Sequence, residues 1–221
     1  MRTFTIRVVI ADDHPAFLLG VIQALAAAPT IELVGSAQDA TSLIAVLKQT
    51  PCDVLITDYV MPKGEFSDGL AMLTYLGRHY PDLKIGVMTM MDNPVVLRTL
   101  LAQGVVCILS KADDPSCLIP AIHAAYSGGR YFSPIITRLM QTQEAPDSLP
   151  TLSQSEAEVV RLFVSGMTVN AIAAQQHRSK QTVSGHKTNA MRKLGIKNDA
   201  ELFKYAIEIG LVPSSSAAAP Q

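Results

Sequence analysis

Residues 7–15 read RVVIADDHP, and this stretch decides the fold. Five residues rich in branched apolar side chains run without polar alternation into two aspartates, as expected of a strand covered on both faces. Pro15 stands where a helix can open. VLITD at 54–58 repeats the pattern and ends on Asp58. Working outward, the segments 32–36, 85–89 and 106–110 give three more short β-rich runs. Helical patterns fill the gaps. Phe17, Val21 and Leu25 follow helical spacing behind Pro15. Asn93 and Pro94 read as an N-cap and first-turn pair before Leu97, Leu100 and Leu101, and Gly104 closes that segment. Five strands alternating with five helices predict an α/β domain over residues 1–130, a doubly wound parallel sheet.

The alternation stops after Gly128 and Gly129. EAPDSLP at 144–150 has linker composition, and 131–150 reads as a linker. The remainder reads as helix. Ser153 and Glu156 form a capping box before Val159, Val160, Leu162 and Phe163, and Gly166 ends that helix. Thr168 caps a second helix with Ile172 and Ala173. Ser179 caps a third with Val183, Ala190, Met191 and Leu194 on one face. Asp199 is the candidate cap of a fourth, with Leu202, Tyr205, Ala206 and Ile209. These four predict a small all-α domain over 151–212. The Ser-, Ala- and Pro-rich tail 213–221 reads as disordered. The second and third helices, joined by a short turn at 177–179, have the form of a helix-turn-helix.

Composition narrows the function. The net charge of −1 hides an asymmetry: nine Lys/Arg against twelve Asp/Glu up to Phe132, and nine against seven from Ser133 on. Residues 177–197 hold Arg178, Lys180, Lys187, Arg192, Lys193 and Lys197 and no acid, which suits an anionic partner or a solvated helix face. Cys52, Cys107 and Cys117 form an odd set with no C-x-x-C pair, as expected of thiols in a reducing cytoplasm. No apolar run reaches the roughly 18 residues of a membrane span. Asp12 and Asp13 come too early for a secretory signal. The expectation is a soluble cytoplasmic protein with no membrane partner.

In a parallel sheet with adjacent first and third strands, Asp12, Asp13 and Asp58 converge at the carboxyl ends of the strands. Carboxylates packed this closely call for a cation, and oxygen-only ligands suit Mg²⁺. Thr89 ends the fourth strand and Lys111 follows the fifth. A hydroxyl and an ammonium facing three carboxylates make a phosphoryl-binding set in which a carboxylate attacks while cations neutralise the transferred oxygens. Singly, each residue has a plainer reading: an Asp after a strand is usually a turn residue, and a lone Lys or Thr is usually surface. Five fitting types at four strand ends, in chain order, favour the site.

These residues, with Met61-Pro62, Asp68-Gly69 and Ser110-Lys111, resemble the receiver domain of response regulators over residues 5–130. The resemblance implies that Asp58 is the phospho-acceptor. It makes Asp13, Asp58 and the backbone carbonyl of Val60 direct metal ligands, with Asp12 assisting. It gives Lys111 to the phosphate and Thr89 to the switch. His14 belongs to the same pattern, as local structure. Two features depart from it: Ile108 stands where an aromatic switch residue is usual, and the loop from Pro62 to Asp68 is about three residues longer. The resemblance also makes Val60 and Met91 the side chains nearest the hydrolytic water. Neither can act as a base, so a long-lived aspartyl phosphate is expected.

On the third helix of the second domain, Lys180, Ser184, Lys187, Thr188 and Arg192 project away from Val183, Ala190 and Leu194, with Lys193 beside them. These types suit base edges and phosphates, and the helix start at Thr168 offers backbone donors. His186 reads as partly buried. The string from Leu152 through Glu156, Gly166, Ile172-Ala173, Thr182-Val183 and Lys193-Leu194-Gly195 is similar to the NarL/LuxR-type DNA-binding domain. Ala171, where glutamate is usual, and Gly185 on the recognition helix depart from it. The two resemblances together imply a transcription regulator, not an enzyme. Its expected partners are a histidine kinase or phosphotransfer protein and promoter DNA. Phosphorylation would favour a homodimer, and a heterodimer with an auxiliary regulator is a further expected assembly. Two alternatives stand beside it. An aspartyl-phosphate phosphatase needs a second carboxylate two residues after the nucleophile, where this chain has Val60. A phosphorylation-independent DNA-binding co-regulator has no need of the intact acidic set.

Overall fold

The computed structural model of the chain describes residues 5–61, 64, 66, 68–91, 93–141 and 152–208. The chain divides into two compact units, Met1–Asp92 with Leu97–Gln143, and Asn93–Val96 with Glu144–Gln221. The tail at 213–221 and Ile209 lie outside the described residues, as do Pro62, Lys63, Glu65 and Ser67 of the long loop.

The first unit alternates strand and helix in the expected order. Its strands are β1 (Ile6–Ala11), β2 (Ile31–Ala37), β3 (Val54–Asp58), β4 (Lys84–Thr89), β5 (Cys107–Ser110) and β6 (Tyr131–Phe132). Its helices are α1 (Pro15–Leu25), α2 (Ala40–Gln49), α3 (Gly69–His79), α4 (Pro94–Ala102), α5 (Leu118–Tyr126) and α6 (Pro134–Gln141). The strand order is β2-β1-β3-β4-β5-β6, and every pair is parallel. The local signals work as read: Pro15 opens α1, the Asn93 Oδ1 accepts the Val95 N–H, and Gly104 takes φ +87.

Alternate residues of β1 and β3 face one core. Ile6, Val8, Ile10, Val54 and Ile56 pack with Leu18, Val21 and Leu25 of α1 and Ala121 and Ile122 of α5, all buried. Each such aliphatic side chain contributes about 1.5–3 kcal/mol when fully buried.

Two expectations are corrected here. The sheet has six strands rather than five, because Tyr131 and Phe132 pair with Cys107 and Ile108. A two-residue strand is too short to show any period in sequence. The span 131–150 is also not linker throughout: β6 and α6 fill its first part and belong to the first unit, and residues 142–150 lie outside the described residues. Buried Ile136 anchors α6.

The second unit holds α7 (Gln154–Val164), α8 (Val169–Gln175), α9 (Lys180–Lys193) and α10 (Asp199–Glu208). The capping box of Ser153 and Glu156 is present in both directions. Thr168 and Ser179 accept the Ala171 and Thr182 N–H groups. Val159, Leu162, Ile172, Ala173 and Val183 form one buried cluster, and Ala190, Leu194, Leu202 and Ala206 belong to a second. Asp199 is not the cap of α10. Asn198 accepts the Glu201 N–H at 2.9 Å and donates to its carboxylate, which leaves Asp199 as the first helical residue.

Candidate functional site

The parallel register builds the acidic site. Ala11 pairs with Thr57, so Asp12 falls level with Asp58 across the β1/β3 boundary. Asp58 pairs with Met88, one residue before Thr89, and Thr89 pairs with Ser110, one residue before Lys111. Strand order reverses between β1 and β3, and such a switch point leaves a crevice at the carboxyl ends of the strands.

Lys111 is central to the cluster. Its Nζ lies 2.5 Å from Asp58 Oδ2 and 2.7 Å from Asp12 Oδ2. The lysine side chain is 8% exposed, and Asp12 is fully buried. The Phe17 ring covers the ammonium at 4.9 Å. Asp13 Oδ1 faces the His14 ring nitrogen at 2.7 Å. One lysine ammonium therefore serves two carboxylates, while Asp13 faces the His14 ring. Burial pushes the Asp58 carboxyl up; Lys111 opposes that and Asp12 reinforces it. Burial acts on Lys111 in the other direction, but its ion pairs with Asp12 and Asp58 outweigh this and leave it above the ordinary lysine value. Asp58 is thus governed first by its burial, and Lys111 by the two carboxylates beside it.

One ligand oxygen from each of Asp12, Asp13 and Asp58, together with a His14 nitrogen, lies within 4.8 Å of all the others. Asp12 Oδ2 and Asp13 Oδ1 are buried and accept no hydrogen bond, having only the charged or ring-nitrogen neighbours already described. Hard oxygen donors with spare lone pairs fit a small divalent cation. His14 is exposed, and its N–H donates to Asp12 Oδ1, in keeping with local structure. The Val60 N–H reaches Asp58 Oδ1 at 3.4 Å. Thr89 is buried and its Oγ1 accepts the Met91 N–H at 3.0 Å. Asp68, after the long loop, accepts the Met61 N–H at 2.7 Å and so fixes the turn beyond Asp58. Within that loop, Phe66 meets Tyr75 edge-on at 4.9 Å. Ile108, at the aromatic switch position, is fully buried.

The second unit sorts its predicted contacts into two groups. Lys180, Ser184, Thr188 and Arg192 are exposed along α9, and Thr168 is exposed at the start of α8. Exposed Gln181 extends the same face; an amide on this face is legible only once the helix phase is known. Lys187 and Lys193 are engaged within the unit. Lys187 Nζ lies 2.6 Å from Asp199 Oδ1 and 3.7 Å above the Phe163 ring. Lys193 Nζ lies 2.7 Å from Glu156 Oε2. The Glu156 carboxyl is held down at about 2 by Lys193 and by the Ser153 N–H. His186 is half-buried and meets the Arg178 guanidinium at 3.1 Å. In the turn, His177 has φ +51, the single non-glycine residue with positive φ among those described.

Comparison with known proteins agrees with this geometry. Residues 8–123 match the response regulator receiver domain family, and residues 150–206 match the bacterial regulatory proteins of the luxR family. The transcriptional regulatory protein RcsB of Escherichia coli K12 is 37% identical over 208 residues, covering 94% of this chain and 96% of its own length. The oxygen regulatory protein NreC of Staphylococcus carnosus is 31% identical over 212 residues, 91% of this chain and 97% of that protein. Among solved structures, RcsB of Salmonella enterica serovar Typhimurium bound to promoter P1flhDC with phosphomimetic BeF3− superposes with a TM-score of 0.83 at 37% identity. It spans 93% of this chain and 99% of that one. A structure of two RcsB dimers bound to two parallel DNAs gives 0.80 at 36% identity, with the same coverage. Among the described residues no helix is long and apolar enough to cross a membrane. A receiver built around Asp58 and a helix-turn-helix unit of luxR type, matched along nearly the whole chain by RcsB, make this chain a member of the luxR-type response regulators.

Proposed function

We propose that the chain accepts a phosphoryl group on Asp58 from a histidine kinase or phosphotransfer protein, and that the phosphorylated chain pairs with a second copy on promoter DNA to control transcription. The observation that carries this is Lys111 bridging Asp12 and Asp58 amid surplus carboxylate. Asp12, Asp13, Asp58 and the Val60 carbonyl would hold Mg²⁺, which supplies charge neutralisation to the transferring group. The Asp58 oxygen attacks phosphorus and forms the O–P bond while the P–N bond of a phosphohistidine donor breaks, the electron pair leaving with the imidazole, which takes up a proton. Lys111, freed from one carboxylate, pairs with a phosphoryl oxygen, and the Thr89 hydroxyl turns to another. Val60 and Met91 offer no base to an attacking water, so the mark is long-lived, with loss over minutes to hours.

On α9 the exposed Lys180, Ser184, Thr188 and Arg192, with Gln181, form the surface for DNA. Relatives of known structure support this, being bound to promoter DNA with a phosphomimetic present. Such a regulator turns over no substrate and works in the cytoplasm, where bacterial DNA lies. The test is treatment with acetyl phosphate or phosphoramidate, with and without Mg²⁺, and location of the adduct by mass spectrometry. Label on Asp58 that requires Mg²⁺, together with tighter DNA binding, is the expected result. Undiminished label on Asp58→Ala sinks the assignment. Equal DNA affinity before and after labelling favours a phosphorylation-independent co-regulator.

A further inference from the structure

The start of α6 is capped in an unusual way. Ser133 precedes Pro134, the first helical residue, and its carbonyl accepts the first helical N–H, that of Thr137, at 2.8 Å. A serine in that place ordinarily turns its hydroxyl onto an N–H of the first turn. Here the Ser133 Oγ instead accepts the Ser110 N–H at 2.9 Å, at the end of β5 and one residue before Lys111. The first-turn N–H of Ile135 is taken by Asp113 Oδ2 at 3.1 Å, two residues after Lys111. The helix and the lysine-bearing loop thus exchange caps.

The exchange is tightly framed. Ser133 is completely buried, and its N–H donates to the Ile108 carbonyl at 3.1 Å. The Lys111 N–H donates to the Thr89 carbonyl at 2.9 Å, and the Asp113 N–H to the Ser110 carbonyl at 3.1 Å. The four residues from Ser110 to Asp113 therefore connect two anchors at the start of α6, Ser133 and Ile135, with the ammonium that faces Asp58. A rigid, hydrogen-bonded element shared by two sites is the physical requirement for coupling between them, and such coupling is reciprocal.

We infer that Ser133 and Asp113 are positioning residues for Lys111, and that through them the start of α6 responds to the phosphoryl state of Asp58. The inference rests on the reading of Asp58 as phospho-acceptor. A movement of Lys111 from Asp12 toward a phosphoryl oxygen pulls on the 110–113 loop, and the loop holds the caps of α6. This route runs along β5, β6 and α6 and needs no aromatic rotamer, in keeping with buried Ile108 at the usual switch position.

The test uses the full chain, with beryllofluoride and Mg²⁺ as the phosphoryl mimic and acetyl phosphate for labelling. Amide hydrogen exchange is followed in the peptide covering α6. In the unsubstituted protein the mimic should change exchange at Ile135. Asp113→Ala should speed that exchange roughly five- to tenfold, the effect of losing one cap. It should also abolish the response to the mimic while Asp58 still takes label. Asp113→Asn keeps an acceptor oxygen and should restore both protection and response. Ser133→Ala should slow labelling by acetyl phosphate at an unchanged melting temperature of the α7–α10 unit. An undiminished mimic response in Asp113→Ala overturns the inference, and so does an α6 that ignores the mimic in labelled, unsubstituted protein. Absence of label on unsubstituted Asp58 overturns the underlying reading, and this inference with it.

Discussion

Lysine is used in opposite ways in the two units. In the receiver, one buried ammonium is shared by Asp12 and Asp58 and leaves negative charge over. In the helix-turn-helix unit, Lys187 and Lys193 each have an acid of their own, Asp199 and Glu156. The receiver's incomplete neutralisation leaves carboxylate oxygens that fit a further cation. The pairs on α9 engage two lysines within the unit and tie the helix to α10 and α7. A basic count along a helix therefore overstates its free positive charge.

The largest effect should come from breaking the buried arrangement. Lys111→Ala leaves two buried carboxylates facing each other without a cation, and should cost roughly 3–5 kcal/mol in urea unfolding without divalent metal. Added Mg²⁺ should recover much of the loss. An unchanged midpoint in metal-free buffer shows that the cluster is not electrostatically strained, and the contrast between the units fails.

Next comes pH. The Glu156 carboxyl sits at about 2 in the fold against an ordinary 4.5. A depressed acid stabilises the fold fully above its unfolded value, and that stability is lost as pH falls from about 4.5 toward about 2. The difference in melting temperature between the protein and Glu156→Gln should therefore be constant at neutral pH and shrink through that window. A constant difference down to pH 2 removes the carboxylate from the account.

Lys187 sharpens the comparison further. Its side chain is 14% exposed, but Asp199 is 54% exposed, so solvent screens the pair. Lys187→Ala should cost about 1 kcal/mol of stability, much of it from the Phe163 ring contact. Its effect on DNA affinity should be smaller than that of Lys180→Ala or Arg192→Ala at the same salt. Asp199→Asn frees Lys187 and should raise DNA affinity and steepen its salt dependence. Weaker binding in Asp199→Asn would show that the pair positions the helix rather than withholding charge.

The smallest effects concern backbone. A Cβ on Gly185 meets open space, so Gly185→Ala should stabilise the unit by up to about 1 kcal/mol. His177→Gly relieves the positive φ of the turn and should be neutral or mildly stabilising in the same unfolding experiment.

The sequence determined a good deal by itself. Strand-ending Asp12, Asp58 and Thr89, Lys111 just past its strand, the capping residues Ser153, Thr168 and Ser179, and the apolar phase of α9 were all legible. Each is a local rule: a β-run that stops, a side chain that bonds its own first turn, a period of 3.6. Only the tertiary structure decided the rest. It paired Tyr131 and Phe132 with β5, gave the α10 cap to Asn198 rather than Asp199, and tied Lys187 and Lys193 to Asp199 and Glu156. It also placed Asp113 on the first turn of α6, 22 residues further on. These depend on which surfaces meet after folding. A two-residue strand has no period, and a charged side chain can reach several partners, so nothing in the local pattern selects the one it takes.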